Sequence, residues 1–427
     1  MTTQASLPGF RDFYPADFAV RTHITNAWRE AARRHGFEEY DGPPLEALDL
    51  YTEKSGEEIV GQLYTFEDRG GRAVALRPEM TPTLARMVGA RAGGLRKPIR
   101  WFSIPQLFRY ERTQRGRLRE HFQWNVDILG EEDVNADAEV LATGLDALRL
   151  LGLQAADIVA RFNDRRLLEA MLLRTGVLET QLGATYAAID KLEREPRERT
   201  IDRLRAAGLE AAVVAQALAL FDDGSFAAVR QRFADDPNIA TELDRLTRYS
   251  EILTDLGHGD SIQFDLTIVR GLAYYTGIVF EIFDRAGALR AVCGGGRYDR
   301  LLAAVSGADL PAVGFGMGDV VLGELLRDRG LLPEHAPGVD DYVIAVGEAE
   351  RPLQRRIAAA LRATGRSVAY GLKAAPVSRQ FKDAHALRAS RTIVIGPDEV
   401  AQGAVVVREM TSGTEQRLPL AELLGLG

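Results

Sequence analysis

The stretch FRYERTQRGRLREHFQWNVDILG, Phe108 to Gly130, decides how the rest of the chain is read. In its second half Phe122, Trp124, Val126 and Ile128 fall on one side, while Gln123, Asn125 and Asp127 fall on the other. A period of two marks a strand whose successive Cβ atoms point to opposite faces. A sheet with one oily face and one ordered polar face has the floor of a pocket. The first half alternates too, placing Arg109 with Glu111 and Phe108 with Tyr110. Between the halves, Thr113 to Leu118 carries Gln114, Arg115, Gly116 and Arg117. Guanidinium forks match phosphate oxygens, so this hairpin reads as a phosphate clamp. It reads equally as a charged edge that keeps strands from pairing with other chains.

Around this stretch, Ile99–Tyr110, Arg119–Leu129, Phe264–Arg270, Ile278–Phe283 and Leu289–Cys293 are rich in β-branched and aromatic residues and bounded by Gly or charged turns. They predict one largely antiparallel sheet. Phe18 to His35 predicts a helix, with Val20, Ile24, Trp28 and Ala31 on one face and Gly36 at the stop. From roughly Ala136 to Leu256, Leu and Ala recur at helical spacing with Arg and Glu outside, and about 165–256 reads as an inserted helical module. A Pro and Gly segment follows, Gly330 to Val339, with 331–339 as the linker proper. Beyond it, strand Tyr342–Val346, helix Arg351–Ala363, strand Ser367–Tyr370, helix Ser378–Ala389 and strand Arg391–Ile395 alternate as in a small α/β domain with a parallel sheet. The expected fold is an α+β catalytic domain, 1–330, on an antiparallel sheet with an inserted helical module, followed by a small α/β domain over 340–427.

Size and composition bound the function. A chain of 427 residues is too long for one core, since single cores stop growing near roughly 250–300 residues. The net charge of −8 argues against a nonspecific DNA coat. Yet Arg86 to Arg119 holds ten Lys or Arg against one acid, Glu111, which is either a polyanion site or a solvated basic face. The single cysteine, Cys293, excludes an internal disulfide, and six scattered histidines give no zinc spacing, so no protein-bound metal is expected. Met1 to Pro8 lacks a leader pattern and no apolar run approaches the ~20 residues of a membrane span, which makes the cytoplasm the expected location.

The opening stretch resembles motif 2 of class II aminoacyl-tRNA synthetases in the form used by the histidyl-tRNA synthetase family, and similar matches run through the chain in family order. LPGFRDFYP (Leu7–Pro15) resembles the family's N-terminal segment, and GFEEYDGPPLE (Gly36–Glu46) resembles motif 1, the dimer-forming helix and strand. LRPEMT (Leu76–Thr81) resembles an amino-acid binding loop; VRGLAYYTG (Val269–Gly277) and CGGGRYDRL (Cys293–Leu301) resemble the two histidine-specific signatures. GFGMG (Gly314–Gly318) resembles the start of motif 3, and SRQFKDAHAL (Ser378–Leu387) a core helix of the anticodon-binding domain.

The resemblance implies an ATP-dependent ligase that joins L-histidine to tRNA(His) through a histidyl-adenylate, as a homodimer, with Mg²⁺ on the triphosphate. It implies that Glu79, Thr81, Gln123, Asp127, Tyr274, Tyr275 and Tyr298 surround the substrate histidine. Buried polar partners there would penalise amino acids that leave them unpaired. Arg109 and Arg270 would flank the reacting centre, where the carboxylate of histidine attacks the α-phosphorus and fixed cations offset the charge that builds on phosphate oxygens. Both would also contact the histidine. Glu111 would hold the adenine side and Arg117 the outer phosphates, with Arg109 completing the ATP contacts. Gly294 to Gly296 read as a place where backbone approaches a ligand or as a plain tight turn.

Two positions depart from the family pattern. Ala273 stands where an Asp is usual, and Asp319-Val320-Val321-Leu322 stands where motif 3 carries Glu and then Arg. Val321 cannot hold a phosphate, so either another arginine supplies the cation or the chain binds substrates without completing the reaction. The rival reading is a non-catalytic paralogue, the histidine-sensing regulatory subunit of ATP phosphoribosyltransferase; the C-terminal α/β domain and the intact RTQRGR loop favour the enzyme. A third is an RNA-binding interaction module without an ordered site.

Overall fold

A computed structural model describes residues 5–52, 57–192, 195–269, 274–287, 289–333 and 338–424. The chain forms two compact units, Met1–Pro333 and Glu334–Gly427. Among the described residues no helix is long and apolar enough to cross a membrane.

The first unit is built on a nine-stranded sheet. Its order is Glu38–Glu39, Ile99–Ser103, Glu120–Leu129, Ala312–Gly318, Cys293–Arg297, Ile278–Asp284, Ile158–Asp164 and Ile262–Phe264, with Gln106–Phe108 paired to the start of Glu120–Leu129. The interior pairs are antiparallel, but the edge strands Glu38–Glu39 and Ile262–Phe264 run parallel to their neighbours. The sheet is therefore mixed rather than purely antiparallel.

The oily face of Glu120–Leu129 lies where its alternation predicts. Trp124, Val126 and Ile128 are buried in the main core, and Trp124 stacks on Trp28 of helix Pro15–Arg34 at 6.0 Å and meets Phe315 edge-on at 5.0 Å. Each indole withdraws about 150–250 Å² from water, roughly 4–6 kcal/mol before ordering costs. Helix Val134–Leu150 packs beside them, started by Asp133, whose carboxylate accepts from Asn135 N at 2.9 Å. With helices on one face, the other is left for a site.

Several elements differ from their sequence expectations. Ile99–Tyr110 breaks into Ile99–Ser103 and Gln106–Phe108, because Pro105 has no N–H for the ladder. Strand Ile262–Phe264 ends where Asp265 accepts from Thr267 N and Oγ1 at 2.9 and 2.7 Å, so Asp265–Val269 is a turn and irregular backbone; Arg270 lies outside the described residues. The strand expected at Leu289–Cys293 instead starts at Cys293 and runs to Arg297, through three glycines that carry no strand signal. Ile158–Asp164 interrupts the long helical stretch as the strand next to the Ile262–Phe264 edge, after which helices from Arg165–Arg174 to Pro237–Asp255 follow. A small antiparallel sheet of Leu45–Ala47, Ala73–Leu76 and Tyr64–Glu67 has no counterpart in the sequence reading.

The second unit carries a five-stranded sheet in the order Val368–Tyr370, Asp341–Ala345, Arg391–Ile395, Ala404–Glu409, Glu415–Pro419. The first three are parallel, as the alternating pattern predicts; the last two add an antiparallel extension. Both faces are covered: Val343, Ile393 and Val405 pack with Ile357 on one, and Tyr342 and Ile344 with Ala384 on the other.

Candidate functional site

The open face of the large sheet is paved with glycine. Gly294 and Gly296 pair with Gly316 and Gly314, and those pair in turn with Asn125 and Asp127. A Cβ on Gly316 would stand 2.5 Å from Gln123 Nε2, and one on Gly314 would stand 2.0 Å from Asp127 Oδ1. The missing side chains are thus what lets Gln123 and Asp127 lie flat across the neighbouring strand. Gly294–Gly296 is a strand and not a tight turn. Its other face is held by Arg297, which grips Asp137 of the central helix through Nε at 3.0 Å and Nη2 at 2.5 Å.

Over this floor opens a cleft of about 590 Å³ lined by Arg109, Glu111, Arg117, His121, Gln123 and, from the facing strands, Glu281 and Arg290. Arg109 donates from Nε to Pro78 O at 2.9 Å, which ties the cleft to the Arg77–Thr81 loop carrying Glu79 and Thr81. Glu79 is buried, and Thr81 starts helix Thr81–Gly89. Arg117 forms an ion pair with Glu111 at 2.6 Å, so the two groups assigned to outer phosphates and adenine side are coupled to each other. The hairpin tip needs Gly116, whose φ of +75° favours a residue without Cβ. Arg115 turns away from the cleft to Glu324 and Asp328 at 2.7 and 3.1 Å, while Gly116 N donates to Glu324 Oε1 at 3.1 Å. The loop is latched onto helix Asp319–Asp328.

Further along the same polar row lies a cluster of largely buried polar and aromatic side chains. Gln123 Nε2 donates to Asn125 Oδ1 at 2.8 Å, and the Tyr298 hydroxyl donates to Asp127 Oδ1. Burial pushes the Asp127 carboxyl up to about 7, against the pull of that hydrogen bond. Burial, reinforced by the Asp127 charge, also pushes the Tyr298 hydroxyl well above its usual range. Tyr274 meets the rings of Tyr275 and Tyr298 at 4.9 and 5.9 Å. The structure therefore gathers Arg109, Glu111, Arg117 and Gln123 in one cleft, Asp127, Tyr274, Tyr275 and Tyr298 beside it, and Glu79 and Thr81 on the loop bound by Arg109.

Two groups escaped the sequence reading. Tyr40, quoted only as part of the motif 1 resemblance, is half-buried, with its hydroxyl buried and pushed up by burial and then by Asp127; its neighbours Glu39 and Asp41 disguise it as surface. His121 lines the cleft, and burial followed by the Arg109 charge pushes it down to about 3, so the imidazole is neutral. Its place at the end of the polar row was the available signal. Motif 3 is altered as the sequence implies: Val320 and Val321 line the cleft, while Asp319 is buried and accepts from Phe122 N and Arg11, both at 2.9 Å. Asp319 serves as a pin between the N-terminal segment and the sheet.

Comparison with known proteins matches the same chain regions. The family model described as histidyl-tRNA synthetase matches residues 9–318, and that described as anticodon binding domain matches 341–426. Histidine–tRNA ligase from Opitutus terrae is 44% identical over 422 residues, 98% of this chain and 97% of the relative. The chloroplastic/mitochondrial histidine–tRNA ligase of Arabidopsis thaliana is 41% identical over 415 residues, 97% of this chain and 85% of the relative. A crystal structure of histidyl-tRNA synthetase from Nostoc sp. PCC 7120 shares the fold, with a TM-score of 0.84 at 22% identity, covering 100% of this chain and 99% of the other.

Proposed function

The chain belongs to the histidyl-tRNA synthetase family, and from that premise we propose that it activates L-histidine with ATP and transfers it to tRNA(His). The observation that carries this reading is the continuity of one polar row. Gln123 faces the arginine-lined cleft, and Asp127, four residues on, accepts from Tyr298, whose ring meets that of Tyr274, itself against Tyr275. A small cationic amino acid held by these side chains would present its carboxylate to a nucleotide in the cleft, which is the geometry acyl-adenylate formation requires.

In the proposed reaction the histidine carboxylate attacks the α-phosphorus of ATP and pyrophosphate leaves. Arg109 stands on one side of that centre, and Arg270 is assigned to the other by resemblance. A ribose hydroxyl at the 3′ end of the tRNA then attacks the adenylate carbonyl, and AMP leaves. Asp127, Gln123, Tyr274, Tyr275 and Tyr298 hold the histidine with Glu79 and Thr81, and Glu111 and Arg117 hold the nucleotide. Mg²⁺ would arrive on the triphosphate and neutralise its charge, and Glu111 and Glu281 are the carboxylates lining the cleft among the described residues. We assign the second unit to the anticodon. The acting form in this proposal is a cytoplasmic homodimer, with Gly36–Glu46 at its interface by resemblance to motif 1.

The regulatory-subunit alternative is not favoured, since relatives at 36–44% identity over nearly the whole chain carry the name histidine–tRNA ligase. The direct test is charging of tRNA(His) with labelled histidine by the full chain. Formation of the ester supports the reading; histidine binding without ester formation would return the rival to favour.

A further inference from the structure

The cleft lacks a cation where the family pattern has one, and a different arginine faces the gap. Val320 and Val321 give the motif 3 end of the cleft an apolar wall. A triphosphate carries several negative charges, and burying them beside valine without a compensating cation is costly. Among the described residues, three arginines line the cleft: Arg109, Arg117 and Arg290. Arg109 and Arg117 both come from the motif 2 side, the first fixed to Pro78 O and the second to Glu111. The other loop arginine, Arg115, is engaged outside with Glu324 and Asp328.

Arg290 enters from the opposite wall. It sits in the connection between strands Ile278–Asp284 and Cys293–Arg297, where Ala291 and Val292 also line the cleft and Val292 N donates to Ile282 O at 2.8 Å. The connection is therefore attached to the sheet two residues after Arg290, which is exposed and lines the same cleft as Val321. We infer that Arg290 supplies, from this strand connection, the triphosphate-binding cation that the chain lacks at Val321. The inference rests on the proposed synthetase reading. It turns the departure at Val321 into a relocation of charge and not a loss of activity.

The test is histidine-dependent exchange of pyrophosphate into ATP by the full-length chain, with the KM of ATP and of histidine measured separately. Arg290→Ala should raise the KM of ATP on the order of ten- to a hundredfold, as expected for removing a charge-assisted contact, while the KM of histidine moves little. Arg290→Lys should recover part of the loss. Val321→Arg placed in the Arg290→Ala background should recover more than Val321→Arg gains in the parent. Gly116 stands against Val321, so that double variant is crowded; if it does not fold, the Arg290→Ala constants decide. An ATP KM within twofold of the parent, or equal loss toward both substrates, overturns the inference and leaves the enzyme reading standing. A parent chain with no histidine-dependent exchange overturns both.

Discussion

The phenol of Tyr298 donates to Oδ1 of Asp127, two buried groups 171 residues apart that meet on the polar face of the sheet. Burial raises the carboxyl to about 7 and the phenol draws it back down. Only the ionised carboxylate can hold a cationic partner, and with a raised pKa that form exists above about 7. The kcat/KM for histidine should therefore fall as pH drops through 7. Tyr298→Phe removes the downward pull and should move the inflection to higher pH; Asp127→Asn should abolish it. An identical profile in Tyr298→Phe would uncouple the two groups.

The glycine floor predicts a sharp contrast between two substitutions. Gly314→Ala would bring its methyl to 2.0 Å from Asp127 Oδ1 and 2.7 Å from the Val126 carbonyl. Overpacking of this kind costs about 1–3 kcal/mol, and displacing Asp127 should weaken histidine binding at least about tenfold. Gly183→Ala, in helix Leu182–Ile189 with nothing within 4 Å, should instead stabilise the chain by up to about 1 kcal/mol. Thermal melts and the histidine KM check both; a tolerated Gly314→Ala would mean the floor is not tightly set.

His35, at the C-terminal end of helix Pro15–Arg34, lies 3.0 Å from Asp146 and 3.2 Å from Glu139, with Arg100 on Glu139 and His258 on Asp146. The hydrogen bond to Asp146, then that to Glu139, raises it to about 9. Since the folded value exceeds the ordinary one near 6.5, the added stability is complete below about 6.5 and lost as pH rises through 9. His35→Ala should cost about 1–2 kcal/mol at pH 6 and clearly less at pH 9.5, after discounting for partial exposure. Denaturant titrations at the two pH values give the comparison; an equal cost at both would assign the effect to packing.

Arg115 is exposed, so its ion pairs with Glu324 and Asp328 contribute little to folding. Their consequence lies in the loop they latch. Arg115→Ala should leave the melting temperature within about 1–2 °C and raise the KM of ATP severalfold, because Arg117 loses its fixed hairpin. No change in that KM would show that the latch has no part in binding.

The sequence made the pocket floor legible because Gln123, Asn125 and Asp127 alternate with buried Trp124, Val126 and Ile128, and a period of two survives folding unchanged. Helix Arg351–Ala363 and strand Arg391–Ile395 were readable to the residue for the same reason, each having its own period and clear stops. Cys293–Arg297 and Ala312–Gly318 were not readable as strands, since glycine carries no β-propensity and their pairing is set by neighbours far away in the chain. Ile158–Asp164 was hidden by the helical residues on either side. The Arg117–Glu111 pair and the outward turn of Arg115 are contacts of tertiary structure, which alternation cannot report.

The proposed reaction needs ATP in the cleft and histidine held beside Asp127. Its most direct test is pyrophosphate exchange into ATP by the full-length chain with each of the twenty amino acids supplied singly. Exchange with histidine, and at most a trace with any other, is the predicted result. Exchange that is absent throughout, or that a different amino acid supports as well as histidine does, would contradict it.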